Sequence, residues 1–171
     1  LKSQGLKVGK DTLHDLLAHL TDCFLVRTVW LETDSERRRM VNPRKVYPVD
    51  PGLIATFDRS SKPNLGHALE TAVLVELERR GAEVTYVKTA DGFEVDFLAR
   101  FPGSRPQLIQ VAASAADPQT AERELRALHA AVREIPDASA HLVVLDDSGL
   151  PQTTPTGVRA EAAADWFLAA P

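Results

Sequence analysis

The stretch EVTYVKTADGFEVDFLARF, residues 83–101, sets Asp91–Gly92 between two runs rich in β-branched and aromatic residues. An Asp-Gly pair adopts the positive backbone angles of a tight turn between antiparallel strands, so these residues predict a β-hairpin. A second turn, PGSRP, leads into QLIQVAA (107–113), which reads as a third short strand. Two of these strands carry polar groups where a buried sheet calls for apolar ones. Alternation places Phe93, Val95 and Phe97 on one face of the second strand, and Glu94, Asp96 and Leu98 on the other. In the third strand Leu108, Gln110 and Ala112 share a face, so on neighbouring strands Asp96 and Gln110 would lie side by side.

The hairpin belongs to a longer order. LGHALETAVLVELERRG (65–81) reads as a helix of about four turns, with Arg79 and Arg80 in its last turn and Gly81 as its cap. PQTAERELRALHAAVREIP carries Leu125, Leu128 and Val132 at helical spacing and stops at Pro136, before the apolar strand AHLVVLDD. From Leu65 the order is therefore αβββαβ, followed by a further strand at Val158 and a short helix around Trp166. Before it, DTLHDLLAHLTD places Leu13, Leu16, Leu17 and Leu20 on one helical stripe, with Asp11 or Thr12 as N-cap. CFLVRTVWLE and RRRMVNPRKVYPVD then read as two strands about the turn TDSE. Helix followed by hairpin is the order of the C-terminal half of a winged helix. The Pro51–Gly52 turn and the polar DRSSKPN set a boundary near residues 50–60, giving a partial winged helix over 1–50 and an α/β domain over 51–171.

Composition narrows the function classes. The 171-residue chain has one cysteine, Cys23, which excludes a disulfide framework and a thiolate zinc site. No apolar run approaches the roughly 18 to 20 residues of a membrane span, so the expectation is a cytoplasmic protein with no membrane partner. The net charge of −4 is uneven: residues 1–50 hold nine Lys/Arg against seven Asp/Glu, and the remainder eleven against seventeen. The basic run Arg37, Arg38, Arg39, Arg44 and Lys45 is the candidate contact for DNA phosphates, its alternative being a solvated strand edge.

The candidate chemistry lies among the acids. By helical geometry Glu70 sits at the margin of the apolar arc of its helix, facing the sheet, although Glu76 falls deeper by the same arithmetic. A helix acid (Glu70), a strand acid (Asp96) and an amide on the next strand (Gln110) make an oxygen cluster of the kind that suits Mg²⁺. Glu94 is expected at the rim. His14 and His19 are five residues apart, which is not the spacing of a helical zinc pair, and Ser114 has no triad motif around it.

With Glu70, EVDF and LIQVA in this order, the chain resembles the PD-(D/E)xK nuclease-like superfamily. More narrowly, KVYPVDPGL, GHALETAVLVEL, GFEVDFL, LIQVA and TAEREL, covering most of residues 45–125, are similar to the C-terminal domain that follows the nucleotide-binding domain in many bacterial and archaeal AAA-type ATPases. The resemblance implies a restriction-endonuclease-like α/β core in which Glu70 and Asp96 would bind a divalent metal and Gln110 would complete the catalytic set. Where that superfamily has a lysine two residues after this position, the chain has Ala112; Lys88 is the lysine that strand adjacency could bring across in its place. Losing a positioned group of this kind costs on the order of 10²-fold or more in rate. The reading is thus an accessory region that binds nucleic acid or a protein partner through a degenerate site. Its alternatives are an active Mg²⁺-dependent nuclease and an assembly domain for self-association of the ATPase. No GxxxxGK[ST] loop is present, so ATP would be bound only by a nucleotide-binding domain preceding Leu1.

Overall fold

The computed structural model describes residues 9–57 and 64–169, so most of the polar stretch expected as a linker, 58–63, lies outside the described residues. The elements are α1 (Lys10–Asp22), β1 (Val26–Leu31), α2 (Glu36–Val41), β2 (Lys45–Pro48), α3 (Gly52–Phe57), α4 (Leu65–Arg79), β3 (Glu83–Lys88), β4 (Glu94–Arg100), β5 (Gln107–Ala112), α5 (Pro118–Glu134), β6 (Ser139–Val144), β7 (Val158–Ala162) and α6 (Ala163–Leu168). From α4 to β6 the observed order is αβββαβ, as the sequence pattern predicts. The strands form one mixed sheet of seven, ordered β2-β1-β3-β4-β5-β6-β7.

Local chemistry accounts for most boundaries. The Asn64 side chain accepts the His67 N–H at the start of α4, and Gly81, at φ +81°, lets the chain turn back through Ala82 N–H to Leu77 C=O. Asp117 caps α5 and Pro118 fills its first position. Gly92, at φ +85°, makes the expected β3–β4 turn. The first helix differs from expectation: it starts at Lys10, its N-cap is Gly9, and no side chain caps it.

The N-terminal strands depart further from the sequence reading. Residues 37–41, expected as strand, belong to a helix that starts at Glu36, because Ser35 accepts the Arg38 N–H as an N-cap, and the segment ends before Pro43. The strands β1 and β2 are antiparallel, as in a hairpin. However, β1 also pairs in parallel with β3 through Trp30–Thr85 and Leu31–Tyr86. The expected wing is therefore one edge of the same sheet, which continues across the boundary expected near residue 50. Glu32 strengthens this join, accepting two bonds from Arg100 on β4 at 2.7 and 2.9 Å and one from Thr85.

Two apolar layers flank the sheet. On one face Leu69, Val73, Leu74 and Leu77 of α4 pack with Ile109, Val111, Val143 and Trp166. On the other, Leu125, Leu128 and Ala131 of α5 pack with Leu108, Leu142 and Val144. Arg80 fastens α6 to α4 by donating to the Trp166 and Phe167 carbonyls, both at 3.0 Å, with its guanidinium over the Trp166 ring.

One irregularity positions the candidate site. Thr85 opposes Leu98 and Val87 opposes Val95, so Asp96 and Phe97 together face the single residue Tyr86. This β-bulge breaks the alternation expected for β4. Val95 and Leu98 both enter the α5 layer, while Phe97 enters the α4 layer.

Leu74 is fully buried, whereas Leu16 of α1 is 49% exposed. Leu74→Ala is expected to lower the unfolding free energy by about 2–5 kcal/mol, against a change within about 0.5 kcal/mol for Leu16→Ala. Urea denaturation of both variants measures the contrast.

Candidate acidic site and its lysine

Alternation along β2 puts Lys45 and Tyr47 on one side, facing α4 and β4. Tyr86 guides this approach by donating its hydroxyl to the Pro43 carbonyl at 2.7 Å, which ties the segment entering β2 to β3. The Lys45 ammonium then sits among three carboxylates, 2.8 Å from Asp96 Oδ1, 2.9 Å from Glu94 Oε1 and 3.5 Å from Glu70 Oε1. The bulge brings Asp96 to this side together with Phe97, whose ring packs on Tyr47 at 5.7 Å. The Tyr47 hydroxyl donates to Glu70 Oε1. One turn earlier on α4, the His67 ring stacks on Tyr47, and its Nδ1 lies 3.7 Å from Glu70 Oε2.

The structure thus brings Glu70 and Asp96 together, with Glu94 at the half-exposed rim where it was expected. It also distinguishes the two helix acids. Glu76 turns to Arg79 and Arg80, at 2.6 and 2.7 Å, and its carboxyl is held down at about 2, chiefly by the Arg79 hydrogen bonds.

Gln110 behaves differently. Its Oε1 accepts the Asp96 N–H at 3.3 Å, so the two residues are neighbours as expected, but its amide turns to α5 and donates to Glu124 at 2.8 Å. Because the bulge re-aims Asp96 and not Gln110, the amide leaves the acid cluster. The buried Glu124, which sequence reasoning passed over, is also held by Arg123. Its position one residue before Leu125 on the apolar stripe of α5 was the available signal.

The electrostatics centre on Lys45. Burial works against its charge, but Asp96, Glu70 and Glu94 outweigh that cost and hold the ammonium above its usual range. Burial and the neighbouring Glu70 carboxylate push Asp96 up to about 6, against the pull of Lys45 and of the Val111 N–H. Burial and Glu70 also raise the Tyr47 hydroxyl, which remains a donor.

A Mg²⁺ ion would require open carboxylate or carbonyl lone pairs on one side. Asp96 Oδ1 faces the ammonium, Oδ2 accepts the Val111 N–H at 3.0 Å, and Gln110 is engaged at both ends of its amide. Among the described residues, no group of three or more His, Cys, Asp or Glu is arranged to hold a metal ion. As arranged, Glu70, Asp96 and Gln110 do not fit Mg²⁺; the positive charge at the centre is that of Lys45. The lysine near the acids is therefore Lys45, which was expected among phosphate contacts, and not Lys88, which is exposed.

The other basic residues separate by position. Arg37 and Arg38 are exposed on α2, while Arg39 and Arg44 lie over the Trp30 ring, with guanidinium carbons 5.5 and 3.7 Å from its centroid. The acidic site is thus distinct from an arginine-rich surface on the same edge of the sheet.

Asp96 should leave a pH signature. Its proton is favoured in the folded state, so this stabilising contribution is complete below about pH 4 and is lost as the pH rises through about 6. Asp96→Asn should remove that part of the slope, which urea unfolding at a series of pH values would reveal.

Over 160 residues the chain is 28% identical to the uncharacterized protein MJ1544 of Methanocaldococcus jannaschii, a match that covers 90% of this chain and 34% of that protein. The chain therefore spans about a third of the length of the relative it matches. No family model matches the chain, and no solved structure does. Among the described residues, no helix is long and apolar enough to cross a membrane.

Proposed function

We propose that this chain is a C-terminal accessory module of an AAA-type ATPase that binds nucleic acid without cutting it, built on a nuclease-like sheet whose cation position is taken by its own lysine. The observation that carries the reading is the Lys45 ammonium held among Glu70, Glu94 and Asp96. An ammonium neutralises the acids, but it offers no coordination position for a phosphate oxygen or an attacking water. The αβββαβ order and the five sequence blocks support the family reading, and the greater length of the relative leaves room for a nucleotide-binding domain. Arg37 and Arg38 on α2, beside Arg39 and Arg44 over Trp30, present guanidinium groups suited to phosphate contacts.

The runner-up is a Mg²⁺-dependent nuclease in which Lys45 has replaced the motif lysine from another strand. Its support is that a lysine does reach the acid pair. A protein-assembly module is the third reading, supported by the acidic balance of residues 51–171.

Two measurements separate these readings. Incubation of the purified chain with labelled DNA and RNA in Mg²⁺ or Mn²⁺ is expected to give no cleavage; cleavage that disappears in Asp96→Ala would establish the nuclease. Duplex DNA should be retained in a salt-sensitive manner, and replacing Arg37, Arg38 and Arg39 with Ala should lower the log–log salt slope by about 2 to 3. Unchanged retention in the triple variant would remove α2 as the contact.

The surrogate-cation role has its own test. Lys45→Ala would leave three carboxylates around one vacated position. Mn²⁺ is then expected to raise the melting temperature of the variant and not that of the parent, as for any ligand that binds the folded state alone. Thermal unfolding with and without the ion reads the difference.

A further inference from the structure

We infer that β7 is a dimerisation edge, on which a second copy of this chain adds its own β7 in antiparallel register about Ala160. The two ends of the sheet are built differently. At one end, β2 is four residues long and closes on Pro48, which lacks the N–H that a further strand would need. At the other end, β7 is five residues long, contains no proline, and pairs with β6 in unbroken register from Val158 to Ala162. Among the described residues β7 has a neighbouring strand on one side only. A regular edge strand of this kind presents a row of backbone donors and acceptors to another strand.

The side chains of β7 specify the register and the occupant. In antiparallel pairing centred on Ala160, Arg159 stands opposite Glu161 of the second copy, and Glu161 opposite its Arg159. A two-fold axis perpendicular to the sheet relates these pairs, so both fall on the same face. Within one chain Arg159 already lies 3.0 Å from Glu161 Oε2, while Oε1 is 3.2 Å from His141 Nδ1, so the carboxylate is fixed in place at the edge. The Arg159 side chain is 67% exposed and free to reach across the edge, whereas its Glu161 partner is buried at 8%, so each carboxylate meets the second copy only through the arginine. On the opposite face the pairing sets Ala160 against Ala160 and Val158 against Ala162, small residues that allow close approach. Pairing displaced by one residue would lose both opposite-charge matches and set the charged face against the apolar one.

A partner strand of unrelated sequence would find the same backbone groups but would have to supply this Arg-x-Glu complement. A second copy supplies it by symmetry, closing a two-fold interface that does not propagate. Strand pairing over five residues is small by the standard of stable interfaces, so a concentration-dependent equilibrium between monomer and dimer is expected.

Sedimentation equilibrium of the chain over a wide concentration range should show reversible dimers. Arg159→Glu sets like charges opposite each other at two symmetric positions and also beside the buried Glu161 of its own chain, so its fold is checked by circular dichroism, and the folded variant should associate about tenfold or more weakly. A register-specific check is Ala160→Cys in a Cys23→Ser background, which should form a disulfide-linked dimer under mild oxidation because the two sulfurs would face each other across the axis. A wild-type chain that is monomeric at every concentration would overturn the inference. So would dimerisation that Arg159→Glu leaves unchanged, or an Ala160→Cys variant that associates but does not cross-link.

Discussion

The ion cluster at Lys45 joins by charge the same three elements, β2, β4 and α4, that Tyr47 joins by packing against Phe97 and the α4 core layer. It ties β2 to the bulge of β4 and to the first half of α4, spanning 51 residues of sequence through the Asp96 bond alone. Withdrawing an ammonium and carboxylates from water costs several kcal/mol per ion, and close pairing offsets this only where the remaining lone pairs are also satisfied. Here they are: Asp96 receives the Val111 N–H and Glu70 the Tyr47 hydroxyl. An excess of carboxylate over ammonium remains, and it is relieved by the raised proton affinity of Asp96 and by the exposure of Glu94. The N-terminal strands are thus bound to the sheet by charge at one point, by a two-pair ladder at another with the Glu32–Arg100 bridge beside it, and by Val29, Leu31 and Tyr47 packed in the α4 core layer.

Much of the architecture follows from local sequence. The Asp91–Gly92 turn, the Gly81 cap, the Pro118 start and the apolar period of α5 each act over a few residues, so they can be read without knowing the fold. The same locality explains the reading of residues 10–50 as helix and hairpin. Nothing within that segment states that β1 will find β3, since the pairing depends on Trp30 and Leu31 meeting Thr85 and Tyr86 more than fifty positions away. The strand expected over 37–41 gives way to helix for a local reason: a Ser N-cap followed by Glu in the first turn outweighs the strand-like look of Met40 and Val41.

The candidate site was half legible. Glu70, Glu94 and Asp96 stand out because acids on a buried helix face or an apolar strand require a partner. The partner was not legible. Lys45 lies in a basic run whose other members are solvent-facing or stacked on Trp30, and only the side alternation of β2 with the buried Tyr47 distinguishes it. The fate of Gln110 was out of reach for a different reason. Strict alternation would have put Gln110 and Asp96 on a common face, and a single extra residue in β4 reverses that relation.

The bulge also joins what it separates. Asp96 donates its N–H to Gln110, whose amide continues to Glu124 and Arg123 on the α5 side, while its carboxylate continues to Lys45, Glu70 and Tyr47 on the α4 side. One residue therefore sits in the middle of a polar chain that passes through the sheet between its two apolar layers. In such a network each group's orientation is fixed by the next, and an altered charge at Asp96 is felt on both faces. Admitting a metal ion would mean expelling the Lys45 ammonium and redirecting the Asp96 carboxylate, with the loss of its Lys45 bond and strain on the one to Val111. An ammonium delivered by β2, at the end of the sheet, keeps the same acids neutralised without that rearrangement, which makes the cluster a structural clamp first and constrains any chemistry to proceed around it.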